Sequence, residues 1–257
     1  NMLGKYLSEA KSMFGLGLQL SKVNFKLKNE GSFLGVFWYL LEPLLLFLIL
    51  INLRVFFGNG IDEYALYLLI GLIMYNFFLG VSLKSTILIL GNAQLIKSVK
   101  INFSSLIISN IMEGIYSHIF EIILFMVFMV YFKVQLLWIL VYPLIFVFYV
   151  IFIMGVSFIL ATIGILINDL RNAWRVIARI MFFVTPIFYL IEKGTALYYV
   201  NLFNPLYYFI TVSRELVVYG RVPSAFMINM VMFISLFTFL IGIIVFNKYK
   251  NKFAEMV

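Results

Sequence analysis

The chain has 257 residues, 64% of them hydrophobic and 12% charged, with a mean hydropathy of +1.08 and a formal net charge of +8. That composition excludes an ordinary soluble domain and points to a protein that lives in a bilayer. The lack of cysteine excludes disulfides and thiolate metal sites. The single histidine, His118, leaves little scope for a histidine-based one, and nothing supports nucleic acid binding.

The apolar residues run continuously instead of alternating, over stretches that reach the roughly 20 residues a helix needs to cross hydrocarbon. An all-α membrane protein is expected, with one transmembrane domain over 1–257. Residues 1–30 are not a span. On a helix, Leu3, Leu7, Ala10, Phe14, Leu18 and Phe25 gather on one side and Lys5, Glu9, Ser12, Gln19, Lys22 and Lys26 on the other. This predicts an amphipathic helix in the membrane interface, its lysines available to anionic head groups. Lys5, Glu9 and Lys11 also interrupt any signal-peptide core. Gly31 marks the break before the first span.

Six spans follow, at 32–57, 64–90, 105–131, 136–167, 173–191 and 225–247, the fourth long enough to tilt or to extend beyond the bilayer. Cationic residues set their direction. Lys5, Lys11, Lys22, Lys26, Lys28, Lys84, Lys97, Lys100, Arg171, Arg175, Arg179, Lys248, Lys250 and Lys252 fall on one side. Arg54, Lys133, Lys193, Arg214 and Arg221 fall on the other. The positive-inside bias then makes both termini cytoplasmic.

Segment 91–104, "GNAQLIKSVKINFS", is too short to cross. It reads either as a loop that obeys the charge bias or as a short helix docking into a partner protein. The second reading takes Asn92 as its cap and has Leu95 and Ile96 exposed beside Lys97 and Lys100. Segment 192–224 is apolar and aromatic yet broken by Gly194, Asn204-Pro205, Gly220 and Pro223. It suits one or two short re-entrant helices, which need protein or a water-filled cavity over their irregular backbone.

No phosphate loop, zinc-protease pair or serine elbow occurs, so no catalytic residue is assigned and any ATP hydrolysis must belong to another polypeptide. Glu113, Ser117 and Glu121 recur every four residues on the third span, with Asn110 on the same stripe and His118 off its edge. At membrane depth such a stripe is either the wall of a polar conduit or a hydrogen-bonded helix seam. A metal site from His118 and Glu121 is disfavoured, since two ligands are too few. Near the start of the first span Glu42 stands beside Pro43, just after Trp38 and Tyr39. The expectation is that Pro43 frees or distorts a backbone hydrogen bond there, that Glu42 satisfies a backbone group or a partner side chain, and that the four residues shape an entrance. Aromatic residues make up 19% of the chain; Trp38 and Tyr39 fit an ordinary interfacial belt and most of the phenylalanines fit lipid-facing packing, while the other reading is that ring faces suit the C–H surfaces of a sliding sugar polymer.

A set of short motifs, in order, covers nearly the whole chain: "SFLGVFWYLLEPLL", "YALYLLIGLIMYNFF", "NAQLIKSVKINFSSL", "TPIFYL", "FNPLYYFITVSRELVVYG" and "FNKYKNKFAEMV". Together they resemble the permease subunits of ABC type 2 exporters of cell-surface polysaccharide, closest to those for O-antigen and teichoic acid. The sequence departs from that pattern at Asn168, where a basic residue often precedes the aspartate, and at Glu42, where the family often has an uncharged polar residue.

The resemblance implies a homodimer in the bacterial inner membrane that encloses a channel for a lipid-pyrophosphate-linked polysaccharide. Two copies of a separate ATPase would bind ATP and Mg; this chain would hold no cofactor. Asn92, Leu95, Ile96, Lys97 and Lys100 would belong to the segment coupling to that ATPase, with the N-terminal helix as a second contact. Tyr198, Tyr199, Asn204, Pro205, Tyr207, Tyr208 and Arg214 would belong to a periplasmic gate. Trp38, Tyr39, Glu42, Pro43, Glu113, Ser117 and Glu121 are expected along the substrate path or its entrance. The alternatives are a type 2 exporter of drugs or small lipids and, more remotely, a membrane-embedded glycosyl or acyl transferase using Glu113, His118 and Glu121.

Overall fold

The computed structural model describes residues 2–30, 32–52, 63–99 and 101–256; Gly31, Arg54 and Lys100 lie outside the described residues. Among the described residues the regular structure is entirely helical, and five helical stretches are long and apolar enough to cross a membrane: Gly35–Asn52, Tyr64–Ser85, Phe103–Tyr131, Leu136–Leu166 and Ala225–Lys252.

Helix α1 (Met2–Asn29) runs unbroken, as expected. Its packed edge is not the apolar one. Gly17 and Ser21 are buried while Phe14 stays half exposed. A Cβ on Gly17 would lie 2.7 Å from Ile108 Cγ2, so the missing side chain lets α1 press directly on the third long helix. The Ser105 hydroxyl donates to Met13 O at 3.0 Å across the same seam.

A short 3₁₀ turn at Gly35–Phe37 leads into α2 (Trp38–Asn52), which continues through Pro43. Helix α3 (Tyr64–Ser85) is the central element, buried along most of its length. It stops at Ser85, short of the expected 90. The Ser85 and Thr86 hydroxyls turn back to Val81 O and Leu83 O, and Gly164 packs so tightly on the Thr86 carbonyl that no Cβ would fit between them.

Two short helices follow, α4 (Leu88–Gly91) and α5 (Ala93–Ser98). The expected cap reverses here. Asn92 makes no side-chain cap bond to α5 and instead donates its amide to Leu88 O at 2.7 Å, closing α4. Leu95 and Ile96 are half-buried against the bundle, whereas Lys97 is exposed.

Helix α6 (Phe103–Tyr131) is capped by Asn102, whose Oδ1 accepts from Ser104 N at 3.0 Å. The long fourth span divides into a 3₁₀ turn at Leu136–Val141 and α7 (Tyr142–Leu166), because Pro143 suits a first helical turn and not a helix interior.

The expected fifth span is the largest departure. Helix α8 (Leu170–Val184) has 15 residues and rises about 22 Å, less than the hydrocarbon thickness. It ends before Thr185-Pro186, since the residue before proline avoids helical geometry. The chain nevertheless follows α3 antiparallel in a series of contacts: Trp174 to Ser82, Tyr75 to Ala178, Tyr67 to Pro186 and Tyr64 to Phe188. Helices α9 (Ala196–Leu202) and α10 (Pro205–Val217) occupy the segment expected to hold one or two short helices. Helix α11 (Ala225–Tyr249) starts on a Ser224 cap and is followed by α12 (Phe253–Met256). It packs on α7 where Gly155 and Gly242 let the two backbones meet.

Candidate functional site

Two cavities share a wall at the end of the bundle that carries α1 and α5. The first, about 500 Å³, is a recess between α1, α2, α3 and α6. Exposed Lys28, Glu42, Gly80 and Lys84 stand around it, and buried Phe77, Val81, Asn110, Glu113 and Glu121 form its deeper lining, with half-buried Ser117. The spacing on α6 thus puts Glu113, Ser117 and Glu121 on one surface, as the sequence indicated.

Glu113 is the best-satisfied group in the recess. Its Oε2 pairs with Lys84 Nζ, and its Oε1 accepts from Asn24 Nδ2 at 2.9 Å and from Ser109 Oγ at 3.4 Å. One carboxylate therefore ties α1, α3 and α6 together. Asn110 is equally committed, donating to Val81 O and Ser85 Oγ at 3.0 and 2.9 Å. Tyr39 closes the side toward α1, stacked on Phe25 at 5.7 Å with Lys28 Nζ 4.9 Å from its ring centroid.

Glu121 differs. It is 6% exposed and makes no hydrogen bond among the described residues; His118 Nδ1 lies 3.3 Å away without hydrogen-bond geometry. His118 itself is a core residue behind the recess. Its Nε2 is 2.7 Å from the Tyr142 hydroxyl and its ring lies flat on Phe146 at 4.3 Å. Among the described residues no three His, Asp or Glu side chains gather as metal ligands.

The second cavity, about 850 Å³, is a groove between α2, α3 and α8. Leu45, Leu46, Ile49, Leu79, Phe182 and Phe183 make it mostly apolar, and Arg175 and Arg179, one helical turn apart on α8, stand in its lining beside Trp38. Glu42, Asn76, Leu79 and Leu83 line both cavities. The Glu42 side chain makes no hydrogen bond among the described residues, so neither the backbone around Pro43 nor another side chain among them takes the bond expected of it. Pro43 is buried and lines neither cavity.

The residues expected at a gate lie at the opposite end, around the irregular stretch after α8. There, side chains replace the missing helix bonds. Val184 O accepts from Asn201 Nδ2 at 2.9 Å, and Thr185 Oγ1 from Asn204 Nδ2 at 2.8 Å. Pro186 O and Ile187 O accept from Arg214 Nη1 and Nη2 at 2.6 and 2.7 Å. Phe188 O accepts from the Tyr64 hydroxyl at 3.0 Å and Tyr189 O from the Tyr67 hydroxyl at 2.8 Å. Arg214 also donates Nε to Tyr67 O at 3.0 Å and lies over the Tyr67 ring, its Cζ 3.4 Å from the centroid. A Cβ on Gly71 would fall 2.5 Å from Arg214 Nη2, so that glycine makes room for the guanidinium.

Asn204 additionally caps α10 at Leu206 N, with Pro205 in the first turn, and Tyr208 donates to Leu202 O at 2.9 Å. Tyr198 and Tyr207 are half-buried and Tyr199 is exposed. Asn204 and Arg214 are thus brought together on one backbone knot, whereas Tyr199 stands apart from it. Sequence reasoning did not assign Asn24, Lys28, Asn76, Lys84, Arg175 or Arg179 to a site. Asn76 had a signal, a side-chain amide inside an otherwise apolar run.

No protein-family model matches the chain. Among curated proteins it is 28% identical over 249 residues to an O-antigen export system permease protein RfbA of Klebsiella pneumoniae, covering 95% of this chain and 96% of that one. A second Klebsiella pneumoniae RfbA is 27% identical over the same shares. The RfbA of Myxococcus xanthus is 22% identical over 95% of both chains. The chain is a multi-pass membrane protein similar, along nearly its whole length, to the permease proteins of O-antigen export systems, the group to which its ordered motifs pointed.

Proposed function

We propose that this chain is the channel-forming permease subunit of an exporter that moves a lipid-linked polysaccharide of O-antigen type across the inner membrane. Two copies of the chain would work with two copies of a separate ATPase that binds ATP and Mg. The observation that carries the reading is similarity over 95% of the chain to three proteins named as O-antigen export permeases. It is a transport subunit in this reading, with no catalytic residue of its own.

The groove supports the lipid part of the proposal. An apolar wall from α2 and α8, with Arg175 and Arg179 beside it, matches a hydrocarbon chain whose phosphates meet guanidinium forks. The ladder of contacts between α3 and residues 174–188 supports a sixth crossing made of helix and irregular backbone together. Such backbone is tolerable at membrane depth because protein side chains cover its carbonyls. Both termini are then cytoplasmic, α5 with Lys97 faces the ATPase, and α9 and α10 sit as a re-entrant pair on the periplasmic side.

The test is co-purification. Tagged native chain, gently solubilised, should bring down a phosphate-loop ATPase in equal amount, and the Leu95→Glu, Lys97→Glu double variant should lose it. A native chain that retains no ATPase under any mild condition would overturn the reading.

A further inference from the structure

The groove between α2, α3 and α8 holds two cations without partners in the chain. Arg175 and Arg179 stand in its lining, and among the described residues neither side chain makes a hydrogen bond, an ion pair or a ring contact. Their depth follows from the contacts between α8 and α3. Trp174 donates to Ser82 Oγ at 3.0 Å, about one turn from the end of α3 at Ser85, and Tyr75, about three turns from that end, donates to Ala178 O. Arg175 and Arg179 each follow the α8 residue in such a contact. They therefore leave α8 roughly 5 and 15 Å inside that end of a helix whose whole rise, about 33 Å, matches the hydrocarbon. Guanidinium groups at that depth are costly unless water or an anion meets them, and their long stems let them reach back toward the head groups.

The rest of the lining narrows the anion. Leu45, Leu46, Ile49, Leu79, Phe182 and Phe183 give it hydrocarbon walls. Trp38, Leu45, Ile49 and Phe183 are each more than half exposed, so the groove opens outward onto the membrane. An apolar groove of about 850 Å³ that faces a bilayer is filled by acyl chain. Exposed Glu42 stands against the two guanidiniums, so two arginines and one glutamate leave the lining with a single net positive charge. That charge complements a singly negative phosphodiester and not a zwitterionic head group.

We infer that the groove binds an anionic glycerophospholipid of the bilayer, its phosphodiester on Arg175 and Arg179 and an acyl chain along α2. This lipid seals the groove until a more highly charged diphosphate displaces it. The phospholipid is a second ligand that regulates the site by competition, and the inference rests on the exporter reading for the displacing ligand alone. Because Glu42 opposes the two arginines, its removal tightens the hold on the anion.

The test is native mass spectrometry of the full chain released from nanodiscs of equal parts phosphatidylglycerol and phosphatidylcholine. Phosphatidylglycerol should stay bound in about tenfold preference. The Arg175→Gln, Arg179→Gln double variant should lose that preference with an unchanged melting temperature, since neither side chain is bonded within the described chain. Arg171→Gln, outside the groove, should keep it, and Glu42→Gln should strengthen it. Decaprenyl diphosphate should displace the phosphatidylglycerol, whereas decaprenol and glycerol phosphate should not. No preference for phosphatidylglycerol, a preference that survives the double variant, or an equal loss in Arg171→Gln, the mark of a merely basic surface, would each overturn the site. Displacement by glycerol phosphate would make it a site for free phosphate, and a double variant that loses self-association in place of lipid would give the groove to a second copy of the chain; either result overturns the proposal. A bound phosphatidylglycerol that the diphosphate leaves in place would overturn the competition. None of these readouts involves the ATPase, so failure here is distinct from failure of the exporter reading, which co-purification decides.

Discussion

Replacing Arg214 by methionine separates a structural strut from a gate residue. The guanidinium is 3% exposed and donates to three backbone carbonyls, and bonds from a charged donor are worth about 1.5–3 kcal/mol each. The loss should be smaller than three such bonds. Tyr67 O lies inside α3, where helical N–H groups remain available, and Pro186 O keeps the Tyr67 hydroxyl at 3.3 Å. Only Ile187 O is stripped of its donor among the described residues, together with the stacking on Tyr67. Removing a buried cation that faces carbonyls instead of a carboxylate returns part of its desolvation cost. The net expectation for Arg214→Met is a loss of about 2–4 kcal/mol, read as a drop of roughly 5–15 °C in the melting temperature of the detergent-solubilised chain. Arg214→Lys should fall between, since an ammonium reaches fewer of the carbonyls and lacks the planar face. A methionine variant that melts like the native chain would refute the strut. If that stable variant also exported abnormally, Arg214 would belong to the gate after all.

Three further outcomes are expected. Gly155→Ala should lose about 1–3 kcal/mol, because its Cβ would lie 2.5 Å from the Thr238 carbonyl of α11, while Gly80→Ala, with nothing within 4 Å, should be neutral or stabilising; equal melting temperatures would refute the close seam. Lys84→Met should destabilise by about 1–2 kcal/mol by leaving the largely buried Glu113 without its cation, and Glu113→Leu, which also strips Asn24 and Ser109 of their acceptor, should cost more; the double variant should lose less than the sum of the two. Losses that simply add would show that the pair is not coupled. Glu42→Ala should keep the native melting temperature and lose polymer export in cells, since the side chain is exposed and unbonded but stands in the wall between both cavities; normal export would remove Glu42 from the path.

The helices were legible because their signals are local. Continuous apolar runs marked the long spans; Asn102 and Ser224 carry start signals that act over two or three residues and that the hydropathy reading did not use, and Asn204-Pro205, read as a break, is also the start of α10. The end of α8 had its signal in Thr185-Pro186, but an apolar run continuing to Leu190 hid it from a hydropathy reading. Asn92 could not be resolved locally, because an asparagine between two short helices can close the first or open the second. The stripe of Glu113, Ser117 and Glu121 was visible as one helix face. Its partners were not: Lys84 is 29 residues away and Asn24 is 89. No periodicity within a helix tells which face of another will meet it.

The two ends of the bundle are held in different ways, and that difference bears on transport. At the α9 and α10 end, the carbonyls from Val184 to Tyr189 are fixed by side chains and a backbone turn, with Arg214 and Tyr67 each serving more than one of them. Moving that knot means breaking several bonds at once. At the other end α2 is held within the chain chiefly at Pro43 and Phe47, its only buried residues, while α3 beside it is buried along most of its length. A helix with so few residues packed inside the chain has fewer contacts within it to break when it moves. Because Glu42 on α2 faces the recess and the groove together, a shift of α2 against α3 changes the width of both. Occupants of the two cavities would therefore feel the same movement, and one element would set access to both.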